Sequence, residues 1–588
     1  MRSLSLRPAR RPLPLTRRRL LATSGMLSAA MLAACGGDST DEARDVGSAP
    51  NRDAGVVAGG HAPDATPQPG GTLSVPWPLT PPLDPVTNTT FTVQRLASLV
   101  YPRLLKFKTG VDPRIAQNYE TVPDLAASQP EVLDDGLRYV VKLRPDARSH
   151  PKPPLNGRPY TSADVKASYE RFVNEPTNVN RGIYASAGVQ AVETPDPTTV
   201  IYRLAKPYAP FLPLLANSYF WVLPQEAGTG FDPAREMIGC GPFIFESNEP
   251  DIALRFRKHP EYFLSGQPYV DSLTLPIIAE PAQERGQFQA QRLDIIGVAH
   301  EFVSEIRAGS PQATIIAYPS TTFPLMYGQQ RGSGPFTDER VRQALSLAVD
   351  RDALLQVSYD GKGWWQNIVP VALGKWWTDP KDAANRPSTR FFGTGDRNKD
   401  VAEAVALLKA AGYDESRPLP VKYYFTPNAY GDSYNQWAEA TAGFLKETNV
   451  FQPSIFPADY RGEWVATGGY WFGTKVPEDG IAFGLEGVVN DAHDYVYNLL
   501  HSKSTRNRAG INDPELDAMI DREVVTLDQN EREKTIKAIV ARANEKAYYA
   551  PIMVGPAYFA LQPRVKGYTL SVTYGWGSEA LSNVFLTQ

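Results

Sequence analysis

The groups in this 588-residue chain that could do nucleophilic, metal or acid–base work are two cysteines, six histidines and 64 carboxylates. A metal needs ligands brought into one coordination sphere, and a nucleophile needs a base beside it. His493 and His501 are eight apart, so a helix sets them two turns apart on nearly one face, too far to chelate as close neighbours do. The other histidines are scattered, so we expect no metal and no cofactor. Cys240, within Gly239-Cys240-Gly241-Pro242-Phe243, reads as a small buried filler and not a nucleophile. No Gly-x-Ser-x-Gly elbow, His-Glu-x-x-His pair, phosphate-loop Gly-Lys-Ser/Thr or EF-hand pattern occurs. Gly228-Thr229-Gly230 and Gly393-Thr394-Gly395 lack the rest of a dinucleotide fingerprint. Carboxylate pairs are as common as in any acidic chain of this length and do not by themselves identify a glycosidase. No catalytic residues are expected, and an enzyme reading survives only as a weak alternative, a hydrolase that would consume its ligand during incubation.

The other cysteine, Cys35, has a different chemistry. A basic stretch with Arg7, Arg10 and Arg11 leads into Thr16-Arg17-Arg18-Arg19-Leu20-Leu21, which resembles a twin-arginine export motif. Residues 20–34 form an uncharged, mostly apolar run, shorter than the ~20 residues a spanning helix needs. It closes on Leu32-Ala33-Ala34-Cys35-Gly36, which resembles a bacterial lipobox, and that resemblance implies cleavage before Cys35 and diacylglycerol on its thiol. Residues 1–34 are then a signal peptide, and the mature chain is anchored to a membrane without crossing it. A lipidated Cys35 leaves Cys240 no disulfide partner. The alternative, a signal anchor with an incidental cysteine, and the choice between twin-arginine and general export stay open here.

Residues 36–70 are rich in Gly, Ala, Asp and Pro and nearly empty of large apolar residues, a composition that reads as a flexible tether. From Gly71 the texture becomes globular and long enough for two or three domains. A formal charge of −4 and no basic block beyond the signal exclude nucleic acid as a partner. Thr72–Val75 and Leu137–Leu143 alternate as strands, and Val93–Leu104 reads as a helix with Leu96, Val100 and Leu104 on one face. Thr161-Ser162-Ala163-Asp164 has capping-box spacing ahead of a helix with Val165, Tyr169 and Phe172 inward. Asp338–Arg351 carries Val341, Ala344, Leu345, Ala348 and Val349 at helical spacing. Val401–Ala411 is a further helix stopped by Gly412, and Pro514–Glu523 and Asn530–Ala547 are two more. The aromatic-rich stretch 364–395 reads as loops. Strands and helices mix without a regular period, so the fold is α/β or α+β.

In order along the chain, these segments resemble the bacterial extracellular solute-binding proteins of family 5. The resemblance rests on Leu83-Asp84-Pro85, Leu99-Val100-Tyr101-Pro102-Arg103-Leu104-Leu105 and residues 136–165. It continues through Ile238-Gly239-Cys240-Gly241-Pro242-Phe243, His259-Pro260-Glu261-Tyr262-Phe263, the run from Pro335 to Leu345, Ala348-Val349-Asp350-Arg351, and Asn512-Asp513-Pro514-Glu515-Leu516-Asp517. It implies a two-lobed, Venus-flytrap periplasmic-binding-protein fold of the type II, cluster C kind, with an extra subdomain at about 115–225. Lobe one would comprise 71–295 with 552–588, and lobe two 296–551, with crossing strands near 293–296 and 549–553. It further implies a monomer that delivers an oligopeptide-like solute to the permease of an ABC importer, from the periplasm or the cell surface. A non-peptide solute (a glycan or metal chelate) and a ligand-sensing role are the alternatives.

In peptide-binding members of that family an aspartate in a Trp-x-x-Asp-Tyr-type segment of lobe two pairs with the ligand's amino terminus. Anchored on Tyr495–Ser502, that position here is Val489. Glu486, Asp491 or Asp494 would then have to supply the charge, or serve as ordinary caps and surface residues, with Gly487 beside them on the segment. Among clustered aromatics (Tyr219, Phe220 and Trp221; Trp364 and Trp365; Tyr470, Trp471 and Phe472), the resemblance raises Trp221 and Trp471, and Trp365 joins them as a candidate. Thr89, Thr90 and Phe91 fall where lobe one faces the cleft in the family.

Overall fold

The computed structural model describes residues 56–58, 66–109, 120–320, 322–427, 429–466, 468–471, 473, 475–487, 491–569 and 579–587. Contacts sort the chain into two units, Met1–Val46 and Gly47–Gln588. The first, with the export signal and Cys35, lies outside the described residues, as do most of the expected tether and Val489, while within the tether Val56–Ala58 forms a short strand parallel to Thr314–Pro319.

Within the second unit the strands assemble by sequence region. Thr72–Ser74, Ser272–Pro276, Ala253–Lys258 and Phe243–Glu249 form one four-stranded sheet, in that order. Glu131–Leu133, Arg138–Lys142, Thr199–Leu204 and Val189–Asp196 form a second, antiparallel throughout, inside the expected extra subdomain. A five-stranded mixed sheet comes wholly from residues 322–551. Phe451–Pro457, Leu419–Phe425 and Gly480–Gly487 run parallel, then Thr322–Gly328 and Ala550–Pro551 continue it antiparallel. Between these groups, Pro556–Leu561 lies in the middle of a sheet, antiparallel to Thr314–Pro319 on one side and Ile295–Val298 on the other. The chain therefore leaves this central sheet for the five-stranded one between Pro319 and Thr322, and returns between Pro551 and Pro556.

The helices follow from caps and apolar spacing, with informative departures. Ser162–Asn174 opens with the expected capping box, Thr161 N–H donating to Asp164 Oδ2 at 2.8 Å, and buries Val165 and Phe172. The first helix is Phe91–Val100, not 93–104. Pro102 restricts the residue before it to extended backbone, so the chain turns at Tyr101 and Leu105–Phe107 becomes a strand. The expected helix 338–351 is two, Glu339–Leu347 and Arg351–Tyr359. Asp338 caps the first, Asp350 caps the second by accepting from Ala353 N–H at 2.8 Å, and all five predicted apolar residues are buried. Arg351 follows the break, and its buried guanidinium donates to the carbonyls of Ser346, Phe392 and Pro551, tying three segments together. Pro514–Glu523 stands as expected, Arg397–Ala410 starts ahead of the expected Val401 because Asp396 caps it, and Gln529–Glu545 ends before the expected Ala547. Residues 364–395 form a two-residue strand and short helical turns around buried Trp365, Trp376 and Trp377.

Candidate functional site

Glu486 and Gly487 end the strand Gly480–Gly487, beside Phe323 and Thr322 of the neighbouring strand. Below them lies a stack: the Trp464 and Trp471 rings are parallel within 11° at 5.4 Å, and the Arg508 guanidinium sits 4.2 Å from the Trp471 ring. Gly484 permits this packing, because a Cβ there would meet the Trp471 ring at 2.6 Å. Arg508 is fully buried and its Nη1 donates to Glu486 Oε2 at 2.5 Å. Glu486 is thus neutralised from beneath, and what this wall offers is a carboxylate already shared with a guanidinium. Trp471 is the ring on which that guanidinium rests and is itself buried. Gly487 differs: a side chain there would meet nothing within 4 Å, and its carbonyl accepts from the Tyr495 hydroxyl at 2.6 Å. The wall is open above it.

Asp491 has two tasks. It caps helix Ala492–Tyr495 through His493 N–H at 2.8 Å, and both its oxygens accept from Arg532. Arg532, buried in turn, donates from Nε to Glu523 Oε1 at 2.6 Å, and Glu523 Oε2 lies 2.6 Å from His493 Nδ1. This chain of four groups satisfies two buried carboxylates that neither could satisfy alone. His493 thus serves a buried carboxylate. His501 lies 3.3 Å from Asp521, an exposed acid, and 3.7 Å from Asp517. Among the described residues no cluster of His, Cys, Asp and Glu could hold a metal.

Asp494 is the exception among the acids, with no hydrogen bond to its carboxyl among the described residues. Burial, and then the Asp491 carboxylate, push it up to about 6, against opposing pulls from His493, Arg506 and Arg532. The folded protein therefore holds this proton more tightly than the unfolded chain does. That contribution is whole below the ordinary value of 3.8 and is lost as pH rises through about 6. Asp494→Asn, a neutral isostere, should match the parent at pH 4 and exceed it at pH 8 by no more than about 3 kcal/mol in urea unfolding. Equal stabilities at both pH values would refute this.

The Asp494 region meets the antiparallel subdomain. Tyr208 sets its ring edge-on to His493 at 6.0 Å, and Ala209 N–H donates to the Val524 carbonyl at 2.7 Å. Leu527 packs against Gly136, where a Cβ would stand 2.8 Å from its Cδ1. These contacts join the 120–225 region to the 491–527 region independently of the two chain passages.

Thr89 is half-buried, and Thr90 and Phe91 are exposed. Their loop is held from behind: Asp84 accepts from Val86 N–H, the Thr87 hydroxyl and both Arg171 Nη atoms, while Gln94 Nε2 donates to the carbonyls of Pro85 and Asn88. Trp221 completes this support. It is buried, its Nε1 donates to Gln94 Oε1 at 2.8 Å, and Arg103 lies 4.7 Å from its ring. Trp365 is likewise buried, donating to Asp352 Oδ1 at 2.8 Å between the cations of Arg351 and Lys381. Both tryptophans buttress the segments beside them. Cys240 is buried with its thiol pushed up by burial. The pairing cations Arg508 and Arg532 went unseen in the sequence, since they stand 22 and 41 residues from their carboxylates.

Residues 120–504 match the family described as bacterial extracellular solute-binding proteins, family 5 Middle. The chain belongs to that family. Heme-binding protein A of Haemophilus influenzae is 26% identical over 516 residues, covering 80% of this chain and 84% of that one. The Dipeptide-binding protein of Escherichia coli is 25% identical over 355 residues, 56% of this chain and 62% of that one. The structure of HbpA2 from Haemophilus parasuis superposes with a TM-score of 0.73 at 21% identity, over 88% of this chain and all of that one. The fold is thus the two-lobed one of family 5 binding proteins. Members of the family are solute-binding components of ABC importers, periplasmic or extracellular, and not enzymes. No helix among the described residues is long and apolar enough to cross a membrane.

Proposed function

We propose that this chain is a lipid-anchored binding protein that closes its two lobes on an oligopeptide-like solute and presents it to an ABC permease. The observation that carries the reading is the pair of attachments between the halves: two chain passages on one side, and the small Tyr208–Ala209 contact with His493 and Val524 elsewhere. A clamp hinged at the first and latched at the second sequesters its ligand, and closure reports occupancy if the closed state binds better. In this reading lobe one takes 71–295 with 552–588 and lobe two 296–551, the two passages moving the first boundary toward 320. On the same reading Thr89 and Phe91 of lobe one and Glu486 and Gly487 of lobe two line the cleft, where strand-like hydrogen bonds would hold a peptide backbone irrespective of sequence.

The charge pattern shapes the ligand. Glu486 and Asp491 are each matched by a buried arginine, so Asp494 is the acid left to meet a ligand amine. Mass spectrometry of residues 71–588 purified from the periplasm tests this, comparing the native mass with the molecules released on denaturation. A set of co-purified peptides is the expected result. A single non-peptide compound would overturn the peptide reading and favour a solute of the haem or chelate kind.

Anchoring rests on Cys35. Cys35→Ser should move the protein from the detergent phase to the aqueous phase of a Triton X-114 partition, since one diacylglycerol carries the membrane affinity. Retention in the detergent phase would refute lipidation at this position.

A further inference from the structure

Arg95 lies one turn into helix Phe91–Val100, just behind the Thr89–Phe91 loop. Its guanidinium stacks 4.4 Å from the centre of the Trp77 ring. Its Nε is buried with no hydrogen-bond partner, and no carboxylate forms an ion pair with it among the described residues. The ionisable groups that act on its charge are two phenols, Tyr568 and Tyr318, and then Glu284. Tyr318 sits at the end of strand Thr314–Pro319, where the chain leaves for the other half, stacked on Phe559 at 5.7 Å, and Tyr568 packs edge-on to Phe559 at 5.9 Å. Glu284 forms no ion pair with Arg95 among the described residues, although Arg95 pulls its carboxyl down against the larger upward push of burial.

Arg351 is matched with carbonyls, Arg508 with Glu486 and Arg532 with two carboxylates, while Arg307 Nε and Nη2 are, like Arg95 Nε, buried with no hydrogen-bond partner among the described residues. A guanidinium held on an aromatic face with its fork unoccupied is built to receive two oxygens of one planar or tetrahedral anion. We propose that Arg95, with Trp77 beneath it and Tyr318 and Tyr568 alongside, is an anion subsite at the foot of the cleft. It takes a carboxylate or phosphate oxyanion of the imported solute. This rests on the cleft being the solute site, and it places the anionic end of the ligand beside the passage between the halves, away from Asp494.

The test uses [15N]arginine-labelled protein, residues 35–588, with the Arg95 Nε–Hε resonance assigned by its loss in Arg95→Lys. The probes are benzoate, its neutral analogue benzamide, and inorganic phosphate. The resonance should shift saturably with benzoate, or with phosphate if the solute carries that group, and stay put with benzamide. Arg95→Gln should weaken the binding about tenfold or more, as expected for a lost charge-assisted pair. Arg95→Lys keeps the cation while losing the fork, and should weaken it less, which separates anion binding from a folding defect. An unmoved resonance with both anions, an equal shift with benzamide, or unchanged affinity in both variants would overturn the proposal. An empty protein in the mass-spectrometric experiment would sink the peptide reading and leave this result standing.

Discussion

Arg532→Met should cost the fold about 3–5 kcal/mol, read as a lower urea midpoint with an unchanged slope. The size follows from what is left behind. Asp491 and Glu523 are buried, and each currently accepts from this one guanidinium. Without it two carboxylates remain desolvated with only His493 between them, and they must take up protons or open the structure. The loss should therefore shrink toward low pH, where protonation relieves it. Replacing the whole set, with Asp491→Asn and Glu523→Gln added to Arg532→Met, should recover most of the loss, because the desolvation penalty leaves with the charges. A single variant as stable as the parent would show that the network contributes little, contrary to its burial.

Gly239→Ala should be of similar severity, for steric instead of electrostatic reasons. A Cβ at Gly239 would lie 2.0 Å from the Val100 carbonyl oxygen and 2.8 Å from the Tyr101 ring. The backbone there has no room to shift: Gly241 N–H donates to that same Val100 carbonyl at 2.8 Å, and Gly239 exchanges bonds with His150 through its carbonyl and N–H. Overpacking of this kind costs about 3 kcal/mol. It also displaces the end of the helix that carries Arg95 and follows the Thr89–Phe91 loop. Gly487→Ala is the contrasting case, since its methyl enters open space. Stability should hold within about 0.5 kcal/mol while solute affinity changes. Equal melting behaviour for the two alanine variants would contradict this packing.

Much of the scaffold was legible because it is local. The Thr161–Asp164 capping box, the Asp338 cap and the apolar spacing of Pro514–Glu523 all act within a few residues, and each element stands where those signals put it. The single helix expected over 338–351 failed because Asp350 can cap a new helix, a competition that apolar spacing does not reveal. The β-α-β run of Leu419–Phe425, Asp432–Glu447 and Phe451–Pro457 was missed, although alternation in the first strand and Tyr434, Ala438, Ala442 and Leu445 along the helix carried the signal. The site was less legible than the fold. Whether a carboxylate is available to a ligand depends on its long-range partner, and nothing near Glu486 or Asp491 in sequence announces Arg508 or Arg532. The tryptophans illustrate the same limit: Trp221 and Trp471 lie close to the candidate surfaces but are buried behind them.

The central sheet has a consequence for the order in which the protein can be made. Pro556–Leu561 lies between Ile295–Val298 and Thr314–Pro319 and bonds to both. Those two strands leave the ribosome more than two hundred residues before the one that joins them, and until it arrives each keeps an unpaired edge. The five-stranded sheet is drawn from one uninterrupted stretch, 322–551, so its last strand, Ala550–Pro551, emerges just ahead of the piece that closes the central sheet. A nascent chain would thus complete its later half first and its earlier half last, with the final thirty-odd residues acting as the closing piece. Contacts of such long sequence separation slow folding and prolong the exposure of unpaired strands. Chains cut short before residue 556 would carry a finished five-stranded half on an unfinished base, a species that chaperones or proteases must meet during synthesis.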